Sequence, residues 1–197
     1  MGNPPIFFVE SRREPKPPTV LIDTPIRPLG SVDCRRLVER LKTTEESAWY
    51  RDNRRQDDYE VHVETQSIIL VFFTGWPAIQ VSHASGWKDF GDLVMPIMQD
   101  IVAKHYPAGG MVLRVVLARL LPQCRIHLHY DRHPSFSVAH RIHVPLLVNP
   151  DVEFIVGSER IELQPGHAFE LNNAMPHSVA NNGDTPRVHL IFDYSPN

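Results

Sequence analysis

"HRIHVPLLVNPDVEFIVGSERIELQPGHAFELNN", residues 140–173, consists of short apolar or alternating runs cut by turn signals. The cuts fall at Asn149-Pro150-Asp151, at Gly157-Ser158 and at Gln164-Pro165-Gly166. Gly, Pro, Asn and Asp supply the backbone angles of tight turns, so each cut ends a strand and starts another. Short strands in regular succession argue for a β-sandwich or small barrel. Pro145 has no amide N–H to give to a ladder, which places its run at a sheet edge or at a bulge.

The same texture extends in both directions, from Met111 to Tyr194. "MVLRVVLARL" (111–120) and "RIHLHYD" (125–131) precede the quoted stretch, whose first run starts upstream as "FSVAHRIHVPLLV" (136–148); "HSVANNG" (177–183) and "RVHLIFDY" (187–194) follow it. Upstream of "PAGG" (107–110) the pattern changes. "GSVDCRRLVERLKT" (30–43) reads as a helix with Ser31 as N-cap. "WKDFGDLVMPIMQDIVAKHY" (87–106) carries Leu93, Ile97 and Ile101 at helical spacing, with a kink or a start near Pro96. "YEVHVETQSIILVFF" (59–73) reads as a strand entering a core, residues 45–60 as a polar connector, and the proline-rich first 30 residues as extended chain. The expectation is one domain over 1–197, mainly β with flanking helices. Residues 1–110 form a helical and strand support, and 111–197 a jelly-roll catalytic core.

Bulk properties narrow the function. A chain of 197 residues suits a single well-buried domain. A net charge of −3 argues against nucleic acid or an anionic membrane as partner, leaving a small-molecule or peptide substrate. The two cysteines, Cys34 and Cys124, show no Cys-x-x-Cys spacing, so no disulfide framework is expected. The N-terminus lacks the apolar stretch of a signal peptide, and Ile6 stands where a myristoylation signal needs Ser or Thr. No apolar run approaches the roughly 20 residues of a membrane span. A cytoplasmic protein is expected.

Polar side chains interrupt the apolar strands at four places: His127/His129/Asp131, Arg141/His143, His177, and Arg187/His189. Buried charges cost several kcal/mol unless they are paired or bound, so polar residues facing a jelly-roll interior imply a ligand. In an extended strand His127, His129 and Asp131 share one face, opposite Ile126, Leu128 and Tyr130. His127 and Asp131 then lie about 13 Å apart along the strand, too far to share one ion. Either His127 with His129 or His129 with Asp131 holds the metal. A 2-His-1-carboxylate iron site, completed by His177, is one natural occupant. Arg187 would then grip a carboxylate through its planar fork, as a dicarboxylic co-substrate requires. The histidines at 62, 83, 105, 133, 140 and 167 read as ordinary hydrogen-bonded or surface residues. Trp87 and Tyr130 read as core aromatics.

Taken together, "HLHYD", "HRIHVPLLVNPD" and "ELNNAMPHSVANNGDTPRVHLIFDY" resemble the aspartyl/asparaginyl β-hydroxylase family of Fe(II)/2-oxoglutarate-dependent oxygenases, over about residues 110–194. The resemblance implies a double-stranded β-helix, cupin-like fold, with O₂ as oxidant and 2-oxoglutarate as co-substrate. It implies iron held by His129 and His177, with Asp131 completing the triad as in bacterial-type members; the animal enzymes have Gly there. It also implies Arg187 on the distal carboxylate of 2-oxoglutarate, with Arg141 and His143 near its other end or the substrate. A serine that helps hold 2-oxoglutarate in the animal enzymes falls on Ala118. The activity implied is hydroxylation of an unactivated C–H bond in an amino acid, a peptide or an amino-acid-derived substrate. Two rival readings stand beside it. One is a three-histidine cupin oxygenase or isomerase built on His127, His129 and His177; the other is a non-catalytic sensor binding a small acid through Arg141 and Arg187.

Overall fold

The strand-like runs pair into two antiparallel sheets in the computed structural model, which describes residues 21–52 and 64–196. In chain order the elements are β1 (Ile26–Ser31), α1 (Arg35–Lys42), a 3-10 turn (Glu46–Tyr50), β2 (Thr65–Thr74), β3 (Gln80–His83) and α2 (Trp87–His105). Then come β4 (Met111–Leu120), β5 (Arg125–His129), a 3-10 turn (Pro134–Ser137), β6 (His140–Leu147), β7 (Val152–Val156), β8 (Glu159–Ile161), β9 (His167–Leu171), β10 (His177–Asn181) and β11 (Arg187–Ser195). The larger sheet has the order β1-β9-β6-β11-β4-β2-β3, and the smaller β5-β10-β7-β8. From β4 onward the chain deals strands to the two sheets so that β4, β11, β6 and β9 face β5, β10, β7 and β8. This is a double-stranded β-helix, extended on its larger sheet by β1 at one edge and by β2 and β3 at the other.

Alternation of side chains divides the apolar residues between two cores. On one face of the larger sheet, Leu117, Ile142, Val144, Leu190 and Phe192 pack against Leu37 of α1 and Phe90, Val94, Met98 and Ile101 of α2. On the other face, Leu120, Phe169 and Leu171 meet Ile126, Phe154, Val156 and Val179 of the smaller sheet. The candidate site residues His129, His177 and Arg187 lie at this second face. The β7–β8 hairpin closes through Gly157-Ser158, where Gly157 adopts φ 61°, a conformation costly for a residue with a Cβ.

Several expectations need correction. Ser31 is not a helix cap: its backbone belongs to β1, in register with His167, and α1 begins after Cys34 with no side-chain cap on its first turn. Asp33 Oδ1 accepts from Arg35 N (3.1 Å) instead. Pro96 does not begin α2 but sits within it, at an exposed position. Pro145, by contrast, meets the expectation of a bulge: it lies inside the larger sheet, at a register shift between β6 and β11 and beyond the β6–β9 pairing. A bulge and the end of a ladder make its missing N–H harmless there. Strands β1 and β3 were not expected. The reading of the first 20 residues, of connector residues 53–60, of a strand start at Tyr59 and of His62 lies outside the described residues. Among the described residues no helix is long and apolar enough to cross a membrane.

Candidate metal centre

Strand β10 lies between β5 and β7, and its register brings His177 directly opposite His129. Two positions further on, Val179 pairs with Ile126 rather than with His127. Strand β5 therefore carries one residue more than its partner between these pairs, a β-bulge over 127–128. The bulge turns the strand so that Ile126 and His129 both point between the sheets. His127 and Leu128 point out to solvent. The expected alternation, with His127 beside His129 and Ile126 on the far face, fails for this reason.

His129, Asp131 and His177 each offer one ligand atom, and these atoms all lie within 4.8 Å of one another. They are the one such group of three among the described residues. Asp131 follows the end of β5, anchored by its backbone N–H, which donates to the Asn173 carbonyl (3.1 Å). The Asn-rich turn before β10 thus holds the acid as well as leading into His177. His127 is exposed and turned away, so the three-histidine arrangement is not assembled.

Both imidazoles have their tautomer set by the backbone. His129 Nδ1 lies 2.7 Å from the His127 carbonyl, and His177 Nδ1 lies 2.9 Å from the Met175 carbonyl. A carbonyl only accepts, so each Nδ1 carries the proton and each Nε2 keeps its lone pair for a metal. Burial depresses the His177 pKa, against the opposing pull of Asp131, which favours the neutral imidazole that a metal needs. Asp131 Oδ2 accepts from Arg141 Nη1 (3.0 Å), leaving Oδ1 available. Two neutral nitrogen donors and one carboxylate oxygen, from three backbone positions in one corner, match a divalent first-row ion with open coordination positions.

A hollow lies between the sheets, and His129, His177, Arg141, His143 and Arg187 line it. Apolar walls come from Ile126, Phe154, Leu171, Val179 and Ile191. Arg187 opens β11 and is 2% exposed; its Nη2 donates to Nδ1 of His189 (2.7 Å). His143 Nδ1 is 3.3 Å from the same nitrogen. Desolvation first, then Arg187 and His143, push the His189 pKa well below its ordinary value, so it is neutral. Ala118 sits in register between His189 and Ser67, and Thr65 of β2 also lines the hollow.

Arg141 lines the hollow on the side of Asp131. Its Nε and Nη2 donate to the two oxygens of Asp193 (2.9 and 3.1 Å) while Nη1 holds Asp131. It stands behind the carboxylate ligand, tied to acids on both sides. No sequence signal pairs Arg141 with Asp193; only the β6–β11 register does so. Of the histidines read as ordinary, His133 caps the second 3-10 turn through Ser135, His140 pairs with Glu170 (2.6 Å) and His83 stacks on Trp87. Trp87 packs at the margin of the helix-side core, whereas Tyr130 is 49% exposed and no core residue.

The sequence profile of aspartyl/asparaginyl β-hydroxylase matches residues 38–196. No sequence among curated proteins matches the chain. Solved structures of similar fold include an oxidoreductase of the 2OG-Fe(II) oxygenase family from Burkholderia pseudomallei, at 16% identity and TM-score 0.50, covering 66% of this chain and 67% of that one. The nickel complex of ThoJ, a non-heme monooxygenase, matches at 17% identity and TM-score 0.55, covering 87% and 74%. A viral collagen prolyl hydroxylase from Paramecium bursaria Chlorella virus-1, in complex with 2OG, matches at 9% identity and TM-score 0.53, covering 91% and 99%. At these identities the likeness is one of fold.

Proposed function

The chain belongs to the aspartyl/asparaginyl β-hydroxylase family, and on that premise we propose that it is an Fe(II)- and 2-oxoglutarate-dependent dioxygenase. It hydroxylates an unactivated C–H bond in an amino acid, a peptide or an amino-acid-derived substrate. The observation that carries this reading is the convergence of His129, Asp131 and His177 within 4.8 Å, at a hollow that Arg187 also lines.

Fe(II) would be held by Nε2 of His129, Nε2 of His177 and Oδ1 of Asp131. When bound, iron and 2-oxoglutarate supply the activation of O₂, in which the keto acid leaves as succinate and CO₂ and the substrate gains one oxygen atom. The protein's own part is to hold, orient and exclude. Backbone carbonyls at His127 and Met175 keep both imidazole rings from rotating. Arg187, buried at the foot of the hollow, binds the far carboxylate of the keto acid with its fork. Ile126, Phe154, Leu171 and Val179 keep water from the chain of the keto acid between these two points.

The test is direct. Purified without oxygen, loaded with Fe(II) and 2-oxoglutarate and then given O₂, the protein releases succinate, slowly even without a substrate. A small-acid sensor would bind 2-oxoglutarate and release none. Failure to bind 2-oxoglutarate at millimolar concentration refutes the proposal.

A further inference from the structure

Asp193 closes the strand "RVHLIFDY", and nothing in the reaction outlined above uses it. It is 1% exposed, on the face of β11 that looks between the sheets, in register with Arg114 of β4 on one side and Arg141 of β6 on the other. Arg114 Nη1 donates to its Oδ2 (2.8 Å), and Arg141 gives it both Nε and Nη2. Both guanidiniums also rest on the ring of Phe136, 4.2 Å from its centroid for Arg141 and 4.5 Å for Arg114. The result is a rung of alternating charge across three strands, Arg114–Asp193–Arg141, which continues into Asp131 at the opposite sheet. Burial alone would raise the Asp193 pKa, but the two arginines hold it below its ordinary value, so it stays ionised.

We infer that Asp193 is a positioning residue for the metal carboxylate. By occupying the fork of Arg141 it limits that arginine to one hydrogen bond with Asp131 and so reserves a carboxylate oxygen for the metal. A guanidinium released from Asp193 presents its fork to the next carboxylate within reach. That carboxylate is Asp131, already 3.0 Å from Nη1. A two-point Arg141–Asp131 pair involves both oxygens and competes with the metal for its only anionic ligand. Arg114 neutralises the second charge of the rung and keeps Asp193 centred.

The inference rests on the metal site proposed above, and Co(II) binding by the apoprotein tests the two separately. A parent protein that binds no Co(II) overturns the metal site and this inference with it. If the parent binds, D193N should lose tenfold or more in Co(II) affinity, the scale usual for partners of metal ligands. Its visible Co(II) spectrum should change as the carboxylate is drawn away. Adding R141Q to D193N removes the competitor and should recover most of the affinity, which no general loosening of the fold would do. Should D193N not fold, with two arginines facing one neutral amide, R114Q/D193N keeps the charge balance of the rung while still freeing Arg141. It should show the same loss and the same recovery with R141Q. Parent-like Co(II) affinity in the folded variant refutes the role of Asp193. A loss that R141Q leaves uncorrected refutes the competition.

Discussion

Replacing Arg187 with alanine tests how the hollow holds its co-substrate. The guanidinium is 2% exposed and lines the same space as His129 and His177, so a carboxylate bound there is stripped of water on all sides. Removing one partner of such a desolvated, hydrogen-bonded pair costs about 2–5 kcal/mol, mostly because the other charge is left buried and unmatched. At 1.4 kcal/mol per decade that is a loss of about 30- to 4,000-fold in 2-oxoglutarate affinity. Near-complete burial argues for the upper part of this range. Lysine in place of Arg187 restores a charge but not the fork, and it cannot reproduce the 2.7 Å bond to His189 Nδ1; only a fraction of the loss should return. Metal affinity should stay within about twofold, since Arg187 is not one of the three ligands. Anaerobic calorimetry with Co(II) saturating reads both quantities on the same samples. If R187A binds 2-oxoglutarate within threefold of the parent, the carboxylate grip is elsewhere in the hollow and the reasoning from burial is wrong.

Two further outcomes follow from the site. H127A should keep full metal binding and uncoupled succinate release, because the bulge turns His127 outward, while H129A and H177A lose both and D131A binds metal far more weakly; metal loss in H127A would contradict the register. The third concerns acid. His189 is fully buried and its folded pKa is held well below 6.5, so below about pH 6.5 the unfolded chain takes up a proton that the folded protein refuses. Stability should therefore fall as pH drops from 6.5, by up to about 1.4 kcal/mol per pH unit from this one group. Urea titrations of the apoprotein at pH 7 and 5.5 should show this, and H189Q should flatten the mean slope over that window by about 0.6 proton; an unchanged slope would show that His189 is not the group.

The strands from β4 to β11 were legible because each ends at a residue with a mechanical reason to turn the chain, such as Asn149-Pro150 or Gly157. β1 was hidden by Pro25 and Pro28, which look like loop but are tolerated in an edge strand, helped by Gly30 at φ 81° where its register with β9 shifts. β3 is only four residues long, also at an edge, and four residues make too short a pattern to read. At the site, residue types were readable and geometry was not. "RIHLHYD" holds the right atoms, yet no residue in it marks the bulge that decides which histidine faces inward. The partners of Arg141 were illegible for a related reason: they come from β11 and from the end of β5, and pairing across strands is set by register rather than by nearness in sequence.

The two cores have an evolutionary corollary. The large one, between the seven-stranded sheet and α1 and α2, carries the bulk of the fold's cohesion and touches no chemistry. The small one separates the sheet bearing Arg187 from the sheet bearing His129 and His177, so under the proposed function Ile126, Phe154, Phe169, Leu171 and Val179 would act as a gauge block between the two ends of the co-substrate. A methylene gained or lost in that block resets the span that a co-substrate must bridge, while the larger core keeps the molecule folded. A descendant of this chain could thus change the length of acid it accepts through aliphatic exchanges alone, with every polar residue of the site left in place.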